Sequence, residues 1–465
     1  MIAALLLVPV DIRSLGRTIL QRASQISERA SDSDYVNMGT SKVDRKSIVI
    51  LGGSWGGVSL SHYILKHVLP ALDETYQVIL ISSASQAFCR PAAPRALISD
   101  DFFPQEKLFV DIPAQFTQYP PDNFTFLHAT VTALDTTTRT VTISPQSKST
   151  PLEPTTSVIP FHSVVIATGA TAASPLLGLS PGDDISDLRS SWTTVRAALP
   201  TARRIVVAGG GPSGVEVAGE LGEHLNGPAA RKWWWFGTPS TMRNPRVEIT
   251  LVSAGERILP DLRQSLADTA EEYLAALGVK LWKGVRVKGV EASEGGKGGE
   301  VVVLDNGETI QTDLYIPCVG IKPNTDFIKP AGGTGRSPLL AADGRVETNP
   351  RTLRVDKAGE GARIYAIGDA SSFATKPGVH NTLSAVPILA ANMKRDLDGA
   401  AVGKDREFEE DLRETQLVPV GRRRGVGAMK GWRLPSWAVW LIKGRDYWLW
   451  TTGDIWSGKA WAKKM

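Results

Sequence analysis

The chain is poor in the residues that carry covalent and metal chemistry. It has two cysteines in 465 residues, Cys89 and Cys318, and no CxxC-like pair. That pattern excludes a dithiol redox centre and a disulfide framework, and makes a reducing compartment the default. Six histidines are scattered without ligand spacing, so no metal is expected. Charge is nearly balanced: 52 Lys and Arg against 48 Asp and Glu leave a net +4, too little to argue for a nucleic-acid partner. Long apolar runs are missing too. The first ten residues, MIAALLLVPV, stop at Pro9 and Asp11, short of a membrane span. Glycine is plentiful at 44 residues, and its placement carries the signal.

Residues 205–220 read IVVAGGGPSGVEVAGE. Four apolar residues predict a buried parallel strand, and Val215, Val217, Ala218 and Leu221 predict the helix after the turn. Gly209 permits the tight turn, Gly211 lets the backbone approach a pyrophosphate, and Gly214 lets helix and strand pack closely. Pro212 suits a first helical turn, whose free N–H groups attract phosphate. The bland alternative is a glycine-rich turn without a ligand. A second unit, SIVIL followed by GGSWGG at 52–57, is degenerate, because Ser54 stands where the middle glycine is expected. The strand after each unit should end in an acid that binds a ribose hydroxyl; these end in Ser82 and Ser253. Serine binds a hydroxyl less strongly than carboxylate does.

Between the units, FCRPAAPRALI at 88–98 predicts a loop and short helix whose Arg90 and Arg95 reach phosphate or a flavin edge, or simply decorate a turn. Short strands are expected at 124–128, 129–134 and 140–143, then a hairpin loop over 144–159. SVVIATG at 163–169 predicts a buried strand ending at a ligand crevice. A helix at 261–277 and a meander through 279–304 follow. DLYIPCVG at 313–320 predicts another buried strand, with Cys318 a small core residue. ARIYAIGDA at 362–370 places Asp369 at the mouth of the sheet, as a ligand or a helix cap.

Three stretches stay open. The leader, residues 1–44, reads as disordered, as an amphipathic anchor or as an organelle-targeting peptide. Gly214 and Ser253 are 39 residues apart, against 25 for Gly57 and Ser82, which points to an insertion around 226–246. Its Trp233, Trp234 and Trp235 suit a membrane interface or partner, a loop folded back on its own domain, or a gene-model error. The tail holds seven of the 13 tryptophans and ten Lys or Arg from Arg422 onward, opposed by Asp446 and Asp454 alone. That composition fits an anionic bilayer, a folded core or dimer surface, or single-stranded nucleic acid.

The two glycine units, the ATG at 167–169 and IYAIGDA at 364–370 occur in the order seen in the two-dinucleotide-fold flavoprotein reductases. SQAFCRPAAPRAL, CVGIKPNT at 318–325, GRRRGVGAMKGW and IKGRDYWLWTT narrow the match. They resemble the apoptosis-inducing-factor-like branch, with its ferroptosis-suppressor NAD(P)H:quinone oxidoreductases and fungal relatives, over roughly residues 46–465. The resemblance implies that Gly52, Gly53, Ser54 and Gly57 hold the FAD pyrophosphate. Ser82 would then lie near the adenosine ribose, Val131 at the adenine and Arg95 by the flavin. Thr168 and Gly169 would line the cofactor, and Asp369 would bond the ribityl chain. Gly209, Gly211, Ser213 and Gly214 would hold the NAD(P)H pyrophosphate. Glu216 would face the nicotinamide and Gly320 would flank it. With Ser253 in place of an acid, NADH against NADPH stays open, and Arg257 tilts the reading towards a 2′-phosphate.

The resulting expectation is an α/β protein with two Rossmann-like dinucleotide-binding domains. The FAD-binding domain spans 45–170 and 311–385, the NAD(P)H-binding domain 200–310, and a Trp-rich basic C-terminal domain 386–465. The reaction is hydride transfer from NAD(P)H to FAD and onward delivery to a quinone-like acceptor. The alternatives are a tailoring oxidoreductase of a fungal biosynthetic pathway and an interaction protein whose cofactor sites have decayed at Ser54, Ser82 and Ser253. The setting is cytoplasmic, with membrane association, a mitochondrial location and a homodimer left open.

Overall fold

Ile48, Val49, Ile50 and Leu51 are all 0% exposed because their strand, β1 (Lys46–Leu51), is covered on both faces. A strand so placed needs a continuous apolar run rather than an alternating one. Each such burial stabilises the fold by about 1.5–3 kcal/mol. The computed structural model describes residues 45–146, 156–229, 240–292, 299–330, 335–376, 378–399 and 404–464. The leader, Trp233–Trp235 and most of the 144–159 segment lie outside the described residues.

From β1 the chain turns through the first glycines into α1 (Trp55–Tyr63) and returns as β2 (Tyr76–Ser82). Next come β3 (Phe124–Asp135), β4 (Thr140–Pro145), β5 (Ser157–Pro160) and β6 (Ser163–Ile166). The two short strands expected at 124–134 are one long strand. Phe124–His128 pairs parallel with β2, and Ala129–Asp135 runs on, through a register shift near Val131, to pair antiparallel with β4. One strand thereby serves two ladders, with the bulge absorbing the change of direction.

After α2 (Ile185–Ala198) the second unit repeats the design with β7 (Arg204–Ala208), α3 (Pro212–Asn226), β8 (Glu248–Ser253), α4 (Gln264–Ala276) and β9 (Val279–Lys283). A meander of β10 (Val287–Ala292), β11 (Glu300–Leu304) and β12 (Thr309–Thr312) leads into β13 (Leu314–Pro317). The four parallel strands stand in the order β9-β8-β7-β13. The chain then crosses back to the first sheet as β14 (Ile364–Ala366), whose order is β14-β6-β1-β2-β3-β4-β5. In both sheets a strand from late in the chain completes the parallel core. The fold is α/β, with two Rossmann-like units.

Helix α5 (Val379–Asp398) follows and stops at Gly399, φ +64°, the left-handed cap that glycine takes without strain. The C-terminal part is a small sheet of β15 (Gln416–Val420), β16 (Arg424–Met429) and β17 (Trp432–Arg433), then α6 (Ser436–Val439), a wide turn over Trp440–Gly444 and α7 (Leu449–Trp456). The tail is therefore folded, but only in part a Trp core. Trp456 and Trp461 are buried, whereas Trp432, Trp437 and Trp450 stay exposed. Its first basic cluster is partly consumed by packing: the Arg422 guanidinium lies 4.1 Å from the Phe102 ring centre and that of Arg424 5.1 Å from Tyr273. No helix among the described residues is long and apolar enough to cross a membrane.

Candidate active site

The two glycine turns are built alike. An added Cβ at Gly52 (φ +112°) falls 2.3 Å from the Ala167 carbonyl oxygen, and one at Gly209 (φ +127°) falls 2.6 Å from that of Cys318. A Cβ at Gly57 reaches the Gly52 oxygen at 1.8 Å; at Gly214 it reaches the Gly209 oxygen at 1.9 Å. The serines in place of acids are also paired. A Cβ at Gly53 meets Ser82 Oγ at 2.7 Å, and one at Gly210 meets Ser253 Oγ at 2.3 Å. Each serine is packed against the middle of its turn, so Ser82 and Ser253 are residues of a tight fit and not marks of decay.

Both turns open on one cleft of about 680 Å³ at the carboxyl ends of the strands, where doubly wound sheets bind ligands. From the first unit it is lined by Gly52, Gly53, Ser54, Ser82, Val131, Thr168, Gly169 and Asp369; from the second by Gly211, Ser213, Glu216 and Gly320. The remaining expected residues do not line it. Gly57, Gly209 and Gly214 sit behind, where their lack of a side chain lets backbone meet backbone. Ser253 is buried, and Arg257 lies off the cleft, donating to the Pro260 carbonyl and, at 3.4 Å, to Gln264 Oε1.

Arg95, expected beside the flavin, is placed elsewhere. It is buried, donating from Nε to Glu220 Oε2 at 3.0 Å and from Nη2 to Glu220 Oε1 at 2.7 Å. Nη1 also donates to the Arg445 carbonyl at 3.1 Å. Arg90, five residues earlier, lines the cleft and is held by the carbonyls of Leu177 (3.1 Å) and Ala170 (2.6 Å). Burial raises the Asp369 carboxyl above its usual range, and the Arg90 charge pulls it back in part.

Asn324, Lys443 and Trp448 are among the cleft residues not singled out as site residues in the sequence. Asn324 donates to the Thr168 carbonyl at 2.9 Å, and its own carbonyl accepts from Thr168 Oγ1 at 2.7 Å. Lys443 and Trp448 arrive from the C-terminal segment. Lys443 Nζ donates to Glu216 Oε1 at 2.5 Å and to the Leu417 carbonyl at 3.1 Å. Burial pushes Glu216 up to about 7, against the opposing pull of the Lys443 ammonium. The signals for this segment were its basic, Trp-rich composition and the IKGRDYWLWTT stretch, which contains both residues. Cys318 also lines the cleft, but burial pushes its thiol up, away from a reactive thiolate. No other cysteine is near in sequence, so dithiol chemistry is excluded. Among the described residues, no group of three or more His, Cys, Asp or Glu is placed to hold a metal ion.

Both turns suit phosphate groups. Helices α1 and α3 begin at Ser54 and Gly211 without a side-chain cap, leaving first-turn N–H groups for phosphate. A Cβ at Gly211 meets nothing within 4 Å, so the space over that turn is open to a ligand. Arg90 and Asp369 supply a cation and a carboxylate near the first turn.

Residues 46–388 match the profile of the pyridine nucleotide-disulphide oxidoreductases. The chain is 54% identical over 431 residues to the oxidoreductase phnG of Penicillium herquei, covering 90% of this chain and 98% of that one. It is 26% identical over 417 residues to the human ferroptosis suppressor protein 1, covering 86% of this chain and 92% of that one. Among solved structures, an engineered water-forming NADPH oxidase bound to NADPH superposes with a TM-score of 0.57 at 16% identity, over 82% of this chain and 74% of that one. With the glycine turns and the cleft already described, the chain belongs to the pyridine nucleotide-disulphide oxidoreductase family, as an FAD-dependent NAD(P)H oxidoreductase.

Proposed function

We propose that the protein passes hydride from NAD(P)H to FAD and delivers the electrons to a quinone-like acceptor. The observation that carries this reading is that the turns at Gly52–Gly57 and Gly209–Gly214 open on the same cleft. In it the 45–170 and 311–385 segments form the FAD side, 200–310 the NAD(P)H side, and 386–465 the cap. Gly53, Ser54 and the α1 amides would hold one pyrophosphate, and Gly211, Ser213 and the α3 amides the other. Asp369 would accept from the ribityl chain, and Glu216 would face the nicotinamide. The flavin, when bound, accepts hydride and releases electrons singly or in pairs. The protein's share is to align two rings and exclude water. Trp448, Phe88 and Phe327 give the cleft apolar walls suited to a planar acceptor. Lys443 brings a cation to the wall beside Glu216, where charge develops on an acceptor oxygen.

A second reading, a flavin-dependent oxidoreductase acting on one particular metabolite, is favoured by the far higher identity to the Penicillium herquei oxidoreductase than to the ferroptosis suppressor proteins. We infer a cytoplasmic setting, with membrane association or a mitochondrial address as the alternatives. The purified protein should be yellow and release FAD, not FMN. Steady-state oxidation of NADH and NADPH with a panel of quinones separates the two readings; failure of every quinone while dithionite still reduces the flavin rejects the first. Asp369→Ala should lower FAD occupancy several-fold through loss of a charged acceptor. Full flavin retention in that variant contradicts the role given to Asp369.

A further inference from the structure

Glu216 and Glu220 stand one turn apart on α3, and both are buried. Carboxylates at that spacing share a helix face and repel, and a buried charge needs a partner. Each has its own cation. Lys443 donates from Nζ to Glu216 Oε1 at 2.5 Å, and Arg95 grips both oxygens of Glu220 at 2.7 and 3.0 Å. The Glu216–Lys443 pair lines the cleft, and the Glu220–Arg95 pair lies behind it. Tyr447 joins the two: its hydroxyl donates to Glu220 Oε1 at 3.1 Å. Its ring centre lies 4.8 Å from the Arg95 guanidinium carbon and 5.7 Å from Lys443 Nζ. We propose that Tyr447, acting through Glu220, is a positioning residue that sets how readily Glu216 takes up a proton in the cleft.

The backbone at Tyr447 is built for a fixed placement. Tyr447 (φ +51°) and Trp448 (φ +70°) are consecutive left-handed residues, a conformation that costs any residue but glycine and persists where its surroundings over-determine it. Those surroundings are explicit. The Tyr447 N–H donates to the Lys443 carbonyl at 2.6 Å, and its carbonyl accepts from the Cys89 thiol at 3.8 Å. Arg95 adds a third tie, donating from Nη1 to the Arg445 carbonyl at 3.1 Å. Held in this way, Trp448 reaches the cleft, with its ring centre 5.2 Å from Lys443 Nζ. The same contacts that fix Tyr447 against Glu220 therefore fix Lys443 against Glu216.

The groups facing Glu216 are Lys443 and Tyr447 from the C-terminal segment, Glu220 from its own helix, Arg95 from the 93–96 helix and Cys318 after β13. Burial favours the Glu216 carboxylic acid most; Lys443 and Arg95 favour the carboxylate, and Glu220 opposes them. Burial also keeps the Cys318 thiol and the Tyr447 hydroxyl protonated, so neither adds a charge. The Tyr447 O–H, aimed at Glu220, offsets part of that negative charge, and without it Glu220 acts more strongly on Glu216. Reduction of a quinone to a hydroquinone takes two electrons and two protons. The hydride of NAD(P)H carries both electrons and one proton, and the second proton comes from water. A carboxyl that titrates near neutrality passes that proton at a fixed place. The inference deepens the quinone reading and rests on it for the use of the proton, though not for its geometry.

The test follows the protonated Glu216 carboxyl by infrared difference titration of the FAD-loaded full chain, the band being identified by its loss in Glu216→Gln. Tyr447→Phe keeps the ring and removes only the hydroxyl, and its midpoint should rise by about half a pH unit. Glu220→Gln removes the neighbouring negative charge, and its midpoint should fall by about one pH unit. A merely structural role for the Tyr447–Glu220 contact does not move the two midpoints in opposite directions. An unchanged or reversed midpoint in either folded variant overturns the proposal, and Tyr447→Phe decides alone if Glu220→Gln does not fold. Reoxidation of the reduced flavin by a water-soluble quinone is measured on the same samples. Midpoints that move as stated in a protein that no quinone reoxidises leave the proposal standing and reject the acceptor reading. Quinone turnover with unmoved midpoints rejects the proposal alone.

Discussion

Gly211 and Gly214 stand three residues apart in one turn and answer to different constraints. At Gly211 an added Cβ meets only open cleft, whereas at Gly214 it falls 1.9 Å from a carbonyl oxygen. Gly211→Val should therefore fold and keep FAD while losing reduction by NAD(P)H, by a factor of about a hundred or more. Stopped-flow flavin bleaching with NADPH and with dithionite reads the difference. Wild-type bleaching by NADPH rules the 205–220 turn out as the donor's site. Glu216 gives a pH signature. Its folded carboxyl is raised from 4.5 to about 7, first by burial. A raised acid contributes stability that is fully present below pH 4.5 and is lost as pH rises through about 7. Glu216→Gln should flatten the stability curve over that window, measured as the urea midpoint against pH; an unchanged slope contradicts the assignment.

At the scale of elements, the short 93–96 helix and α3 are joined by one buried ion pair, Arg95 with Glu220. Tyr447 also donates to Glu220 Oε1 at 3.1 Å, so three elements meet there. Removing one partner leaves a buried charge uncompensated. Arg95→Met should cost about 3–5 kcal/mol, and adding Glu220→Leu should recover much of it. Chemical denaturation of the single and double variants checks this, with flavin content unchanged in what folds. A flavin contact by Arg95 would instead lower FAD occupancy in both. The parallel strands were legible because a buried strand needs an unbroken apolar run, as in IVVA and SIVIL. Which of Arg90 and Arg95 faced the cleft was not, because the turn angle of a four-residue helix leaves no periodicity to read.

At the scale of the molecule, the C-terminal segment is latched to the first glycine unit by His62. Its Nε2–H donates to the Trp456 carbonyl at 2.7 Å, while Nδ1 accepts from the Tyr119 hydroxyl at 2.8 Å. The ring stacks on Phe116 at 4.1 Å. That arrangement uses a neutral imidazole, one nitrogen donating and one accepting. Burial lowers its pKa from 6.5 to about 4. A depressed histidine contributes stability present above pH 6.5 and lost as pH falls through about 4. His62→Gln should lower the melting temperature at pH 7 by a few degrees and shrink the acid-induced loss below pH 6.5. His162 is depressed to about 4 as well, so the wild-type-minus-variant difference is the readout. An identical acid profile in the two proteins contradicts the latch.

The sequence by itself determined the two strand–glycine–helix units, the parallel cores and the carboxylate at Asp369. These depend on residues within one turn of each other, where backbone sterics and apolar runs leave few alternatives. Only the tertiary structure decided that Lys443 meets Glu216, a contact between residues 227 apart. It also decided that Arg90 and not Arg95 lines the cleft, and that the tail's tryptophans divide between core and surface. Such pairings depend on which domain surface each segment is packed against, and neither composition nor spacing within a segment encodes that choice.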